Sequence, residues 1–144
     1  MTTSRAISSI EKLIPQRSPI MMVDELLRVD GYECTCRLTV RDDIFFIEED
    51  GRMAEPGVIE HIAQSASAFA GYMAIAEGAV EPPVGYIGEV RNFRLFNRPR
   101  IGDVLTTVIS MGPTVAGVTI INGVVSVGDE KIAETQMKIF VPED

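Results

Sequence analysis

The sequence lacks tryptophan, has a single histidine and two cysteines, and carries no lysine or arginine between Met53 and Val90. It has no apolar run of the ~18 residues a membrane-spanning helix needs, and its amino terminus lacks the layout of a signal peptide, so the expectation is a soluble cytoplasmic protein with no membrane span. The two cysteines, Cys34 and Cys36, sit two apart on one face of a predicted strand without further ligands around them. They read as buried thiols rather than a disulfide or a metal site, so no metal and no cofactor is expected. Basic charge is also scarce: the net charge of −8 opposes nucleic-acid binding.

What is present fits one compact domain over residues 1–144, with 46% hydrophobic residues and no repeat, linker or low-complexity tract. Residues Ile7 to Leu13 can form a short amphipathic helix that Pro15 stops. Ile20-Met21-Met22-Val23 reads as the start of a buried strand that runs on to Val29, and Asp30-Gly31 marks a hairpin. The next strand alternates Cys34, Cys36, Leu38 and Val40 against Thr35, Arg37 and Thr39. After a loop through Phe45-Phe46 and Glu48-Glu49-Asp50-Gly51 comes a long helix, expected from about Gly57 to Ala76. Beyond Gly78 the pattern predicts strands over Val84–Phe96, Val104–Met111, Val115–Val127 and Lys131–Val141, with turns at Pro113-Thr114 and Gly128-Asp129. In the last of these Ala133, Thr135, Met137, Ile139 and Val141 face inward. The fold class is therefore α+β: an antiparallel sheet wrapped around one central helix. A sheet of that size leaves long edges, so at least a dimer is expected.

The helix holds the chemistry. Pro56 suits its first turn, and Val58, Ile59, Ile62, Phe69 and Met73 with many Ala, Ser and Gly residues make nearly every side apolar or small, the mark of a buried helix. Yet Glu60, His61 and Gln64 lie near its start. Glu60 and Gln64 are four apart and share a face, whereas Glu60 and His61 point about 100° apart. Ionisable groups on a buried helix are costly unless paired or used. His61 reads either as a packing residue bonded to a neighbouring carbonyl or as a base. Glu60 with Gln64 reads either as a helix-fixing pair or as a catalytic one. Arg91, Arg94, Arg98 and Arg100 fall within ten residues, either a solvated strand end or a patch for an acidic or phosphate-bearing partner. Arg91 is expected on the opposite strand face from Arg94.

Leu13-Ile14-Pro15-Gln16-Arg17-Ser18-Pro19-Ile20-Met21-Met22-Val23-Asp24 resembles the "LLPHRxPxLLVD" opening of FabZ-type 3-hydroxyacyl-acyl-carrier-protein dehydratases. Pro56-Gly57-Val58 followed by Glu60-His61-Ile62-Ala63-Gln64 resembles their "PGVxxxEAMAQ", two residues shorter, and Phe93 to Asp103 resembles their "FxxPVxPGD". The shortened helix entry and the Phe-rich loop are more similar still to the ApeP-like dehydratase-related proteins of aryl-polyene clusters. The resemblance implies the hotdog fold and an acyl-thioester chemistry run by a His/Glu dyad at a dimer interface. In that chemistry Glu60 matches the glutamate, and Gly57 and Val58 match the turn whose amides polarise the thioester carbonyl.

The family histidines are replaced: Gln16 stands in "PHR" and Glu49 stands in "FFxGHFPG". Within the chain His61 is one candidate base, and Glu48-Glu49-Asp50 reads either as a solvated surface loop or as the carrier of a desolvated Glu49 base. The resemblance further implies an acyl-acyl-carrier-protein substrate, docked by Arg94, Arg98 and Arg100. It implies a homo-oligomer or a heterodimer with a second hotdog subunit, joined along the Val84–Phe96 strand. The readings are a (3R)-3-hydroxyacyl-acyl-carrier-protein dehydratase or dehydratase subunit, a non-catalytic acyl-carrier-binding partner of a hetero-oligomeric dehydratase, or a hotdog thioesterase.

Overall fold

A computed structural model of the protein describes residues 2–3, 10–78 and 86–140. Its strands are β1 (Thr2–Thr3), β2 (Glu25–Asp30), β3 (Glu33–Thr39), β4 (Tyr86–Leu95), β5 (Val104–Val115), β6 (Val118–Val127) and β7 (Glu130–Phe140), with one helix, α1 (Glu55–Ala76), between β3 and β4. Every pairing is antiparallel and the spatial order is β1-β2-β3-β5-β6-β7-β4. This is a hotdog fold, with α1 laid on the concave face of the sheet. Strand alternation decides which residues face the core: Leu105, Thr107 and Ile109 of β5, Ile121 and Val125 of β6, and Ala133, Thr135 and Met137 of β7 are buried. Gly123 of β6 is the point of closest approach, since a Cβ there would lie 2.6 Å from Ile62 Cγ2 of the helix.

No side chain caps α1 at Ala54, but Glu55 in the first turn suits the positive end of the helix dipole. At the other end Gly78, at φ 104°, lies just past the cap residue Glu77, where a left-handed conformation terminates a helix. Cys34 and Cys36 are both free and buried, facing inward on β3. A hydrogen bond donated to Cys36, then burial, pushes the Cys34 thiol far above its usual pKa, so it stays protonated.

Four expectations change. Residues 20–24 are not strand: β2 begins only at Glu25, although Met22 and Val23 are completely buried. The hairpin after β5 turns at Ala116-Gly117, whose φ values of 54° and 77° suit a tight two-residue turn, and not at Pro113-Thr114. Pro113 instead lies in a register irregularity between Met111 and Thr114, where its missing N–H breaks no ladder bond. On β4 a bulge between Arg91 and Arg94, with Asn92 at φ 52°, pairs Arg91 with Gln136 and Arg94 with Glu134. Gln136 and Glu134 share the outer face of β7, so the extra residue returns Arg91 to the same side as Arg94. In place of the Ile7–Leu13 helix the described part holds a 3₁₀ turn over Ile10–Lys12. Ile7, Val84 and Val141 lie outside the described residues.

Candidate functional site

The first turn of α1 is built on contact with the loop before it. Phe45 and Phe46 stack edge-to-face at 5.0 Å, and Phe45 is 63% exposed. Any Cβ at Gly57 would lie 2.6 Å from Phe46 Cβ and 2.7 Å from Met53 Cγ, so only glycine lets the loop seat this closely. The Gly57 N–H donates to the Ala54 carbonyl at 2.8 Å, which engages one of the two amides expected to polarise a carbonyl. Val58, the other, is fully buried.

One turn on, the three polar residues separate. Glu60 is half-buried, and its Oε1 accepts from Gln64 Nε2 at 3.0 Å. Gln64 is buried and fully used: Oε1 accepts the Met22 N–H at 2.6 Å, and Nε2 also donates to the Ile20 carbonyl at 2.8 Å. His61 points to the sheet. Its Nδ1 lies 2.6 Å from the Met22 carbonyl, which can only accept, so Nδ1 carries the proton, and Nε2 accepts from the Thr107 hydroxyl at 2.6 Å. Burial pushes its pKa down to about 4, against smaller opposing effects of the Met22 bond and the Asp24 charge. The imidazole is therefore neutral at pH 7 with both nitrogens occupied.

These bonds explain why Met22 and Val23 are buried without being strand: Gln64 and His61 satisfy the backbone of Ile20 and Met22 in place of a ladder. Sequence reasoning missed Thr107 as the second partner of His61. The signal was available, as Thr107 is a polar residue at an inward position between Leu105 and Ile109.

Among the described residues none of the other candidates bonds to Glu60, whose partner is Gln64. Gln16 is half-buried, and its Oε1 is enclosed with no hydrogen-bond partner among the described residues. Glu49 is exposed at the tip of a small hairpin closed by an Ile47–Met53 bridge. Arg98 ion-pairs with the residues either side of it, Glu48 at 2.7 Å and Asp50 at 3.3 Å. Arg91 pairs with Glu89 at 3.3 Å, and Arg94 faces Glu134 across the ladder. Arg100 stands directly opposite Arg52, and neither forms an ion pair among the described residues. Within that set no cluster of metal-ligating side chains occurs, and no helix is long and apolar enough to cross a membrane.

The FabZ 3-hydroxyacyl-acyl-carrier-protein dehydratase of Verminephrobacter eiseniae is 28% identical over 137 residues, covering 91% of this chain and 90% of its own. That of a Wolbachia of Drosophila simulans is 26% identical over 133 residues, covering 89% and 90%. Among solved structures, the dehydratase heterocomplex ApeI:P of Xenorhabdus doucetiae superposes with a TM-score of 0.85 at 17% identity, over 94% of this chain and 91% of that one. A hypothetical thioesterase with coenzyme A from Streptococcus pneumoniae reaches 0.62 at 10% identity, over 85% of each chain. The model of the ApeP-like family, described as ApeP dehydratase, matches residues 8–144. By fold, by its dehydratase relatives and by that match over nearly its whole length, this chain belongs to the ApeP-like family of hotdog dehydratases.

Proposed function

We propose that the chain is the glutamate-bearing subunit of a (3R)-3-hydroxyacyl-acyl-carrier-protein dehydratase and that a second hotdog subunit supplies the base. One observation carries the reading: Glu60 is half-buried and held by Gln64, while the only histidine in the sequence is sealed between Met22 and Thr107. A carboxylate in this place suits a general acid that assists loss of a 3-hydroxyl, but α-proton removal needs a base that can exchange protons near neutral pH. His61 is neutral but has no free nitrogen, and Glu49 is exposed. The heterocomplex that resembles this chain makes a second subunit the natural source. Strand β4, at the sheet edge with Ile87 and Val90 exposed, is the edge we assign to that subunit.

Docking of the acidic carrier falls to Arg94 and Arg100, with Arg52 beside the latter, because Arg98 is already neutralised within the chain. The same sealed histidine favours a second reading, a carrier-binding subunit with no chemistry of its own. The deciding assay adds a 3-hydroxyacyl thioester to the chain alone and to the chain with a hotdog subunit encoded beside it. The expected result is turnover only with the second subunit, and a loss of ~10²-fold or more in Glu60→Gln. A mixed enzyme that tolerates Glu60→Gln without loss would leave only the carrier-binding reading.

A further inference from the structure

Three carboxylates stand in a row, Glu48-Glu49-Asp50, at the tip of the hairpin that leads into α1. Like charges so close repel, and a loop this exposed would swing unless something opposed them. Within the hairpin Asp50 Oδ1 accepts the Arg52 N–H at 3.0 Å, and the group that ties the carboxylates to the rest of the fold is the Arg98 guanidinium. Arg98 donates from Nη2 to Glu48 Oε1 at 2.7 Å, from Nη1 to Asp50 Oδ2 at 3.3 Å, and from Nε to the Met53 carbonyl at 3.1 Å. The backbone on either side joins the same seam: the Met53 N–H donates to the Pro99 carbonyl at 2.8 Å and the Ile101 N–H to the Gly51 carbonyl at 2.9 Å. Met53 is fully buried and, with Phe46, fills the space in front of Gly57.

We propose that Arg98 is a positioning residue: by clamping the Ile47–Met53 hairpin to the connection between β4 and β5, it seats Met53 and Phe46 against Gly57 and fixes the first turn of α1, from which the helix runs on to Glu60. This makes Arg98 an internal brace, and its planar fork suits the task because one group must reach two carboxylates and a carbonyl in fixed directions. A lysine offers a point charge and cannot span all three. The consequence for catalysis rests on the reading of Glu60 above; the consequence for the helix start does not.

The test compares the full chain, Arg98→Ala, Arg98→Lys and the acceptor-stripped Glu48→Gln/Asp50→Asn. Amide exchange is followed by NMR at Met53, Ile101 and Gly57, and kcat and KM are measured on a carrier-borne 3-hydroxyacyl substrate with the second subunit present. Exchange at Met53, Ile101 and Gly57 should speed up roughly ten-fold in Arg98→Ala and in the acceptor-stripped variant, less in Arg98→Lys, with β6 and β7 amides unchanged. In the same variants kcat should fall with KM unaltered.

A docking residue behaves in the opposite way. Arg98→Ala would then raise KM and leave exchange alone, while stripping the acids would free the arginine and lower KM. That result overturns the proposal, as does faster exchange confined to Met53 and Ile101 with Gly57 unmoved. If the wild-type mixture shows no turnover, the functional reading fails while exchange at Gly57 still decides the role of Arg98.

Discussion

Acidification should destabilise this protein through His61, and the size of the effect follows from its surroundings. The imidazole is completely buried and its pKa falls from 6.5 to about 4, burial being the main cause. The unfolded chain therefore binds a proton near pH 6.5 that the folded chain refuses until about pH 4. The stability associated with neutral His61 is fully present above pH 6.5 and is lost as the pH falls from there towards 4. At ~1.4 kcal/mol per pH unit, the loss is about 1.4 kcal/mol at pH 5.5 and about 2.5 kcal/mol at pH 4.5.

The partner variant is His61→Gln, which can still donate to the Met22 carbonyl and accept from Thr107 but does not titrate. Urea unfolding of both proteins at pH 7.5, 6.5, 5.5 and 4.5, at one protomer concentration, measures the difference. Asp50 and Glu134, whose carboxyls are held below their usual range, are common to both proteins and cancel. The wild type should lose about 2.5 kcal/mol more than the variant between pH 7.5 and 4.5. The single histidine also gives a single imidazole ring to follow by NMR. Parallel stability curves, or a ring that titrates with a midpoint near 6.5, would refute the reading of His61 as a sealed structural group.

Gln64→Leu keeps the volume but strands the buried Met22 N–H and the Ile20 carbonyl, so it should cost about 2–4 kcal/mol in urea unfolding and speed exchange at the Met22 amide. Unperturbed exchange there would show that the clamp is dispensable. Gly123→Ala places a methyl 2.6 Å from Ile62 Cγ2 and should cost about 1–3 kcal/mol. Ile62→Leu removes that branch, so the same alanine should cost markedly less in that background, and additive costs would rule out the contact as the cause.

Much of the fold was legible because the patterns that set it are local. Alternation over Ala133 to Ile139 places one face of β7 inward whatever it packs on, and the run of small and apolar residues from Val58 to Met73 can form only a buried helix. The resemblance of Pro56-Gly57-Val58 and of Glu60 with Gln64 to the dehydratase motifs was likewise readable from order and spacing. The polar partners were not. The carbonyl that holds His61 lies 39 positions away, the hydroxyl 46, and the amide held by Gln64 42.

No rule of spacing told the sealed histidine from the accessible glutamate beside it. A rotation of about 100° around the helix separates them, and only the packed sheet decides which direction is interior. The arginines show the same division. Their clustering is plain in the sequence, but a single bulge at Asn92 sets which face Arg91 shares, and a hairpin drawn up from residues 48–50 neutralises Arg98. Local periodicity determines which residues are buried, because it needs only neighbours two to four positions away. What a buried or charged group bonds to is decided by chain segments that meet only when the whole sheet has closed around the helix.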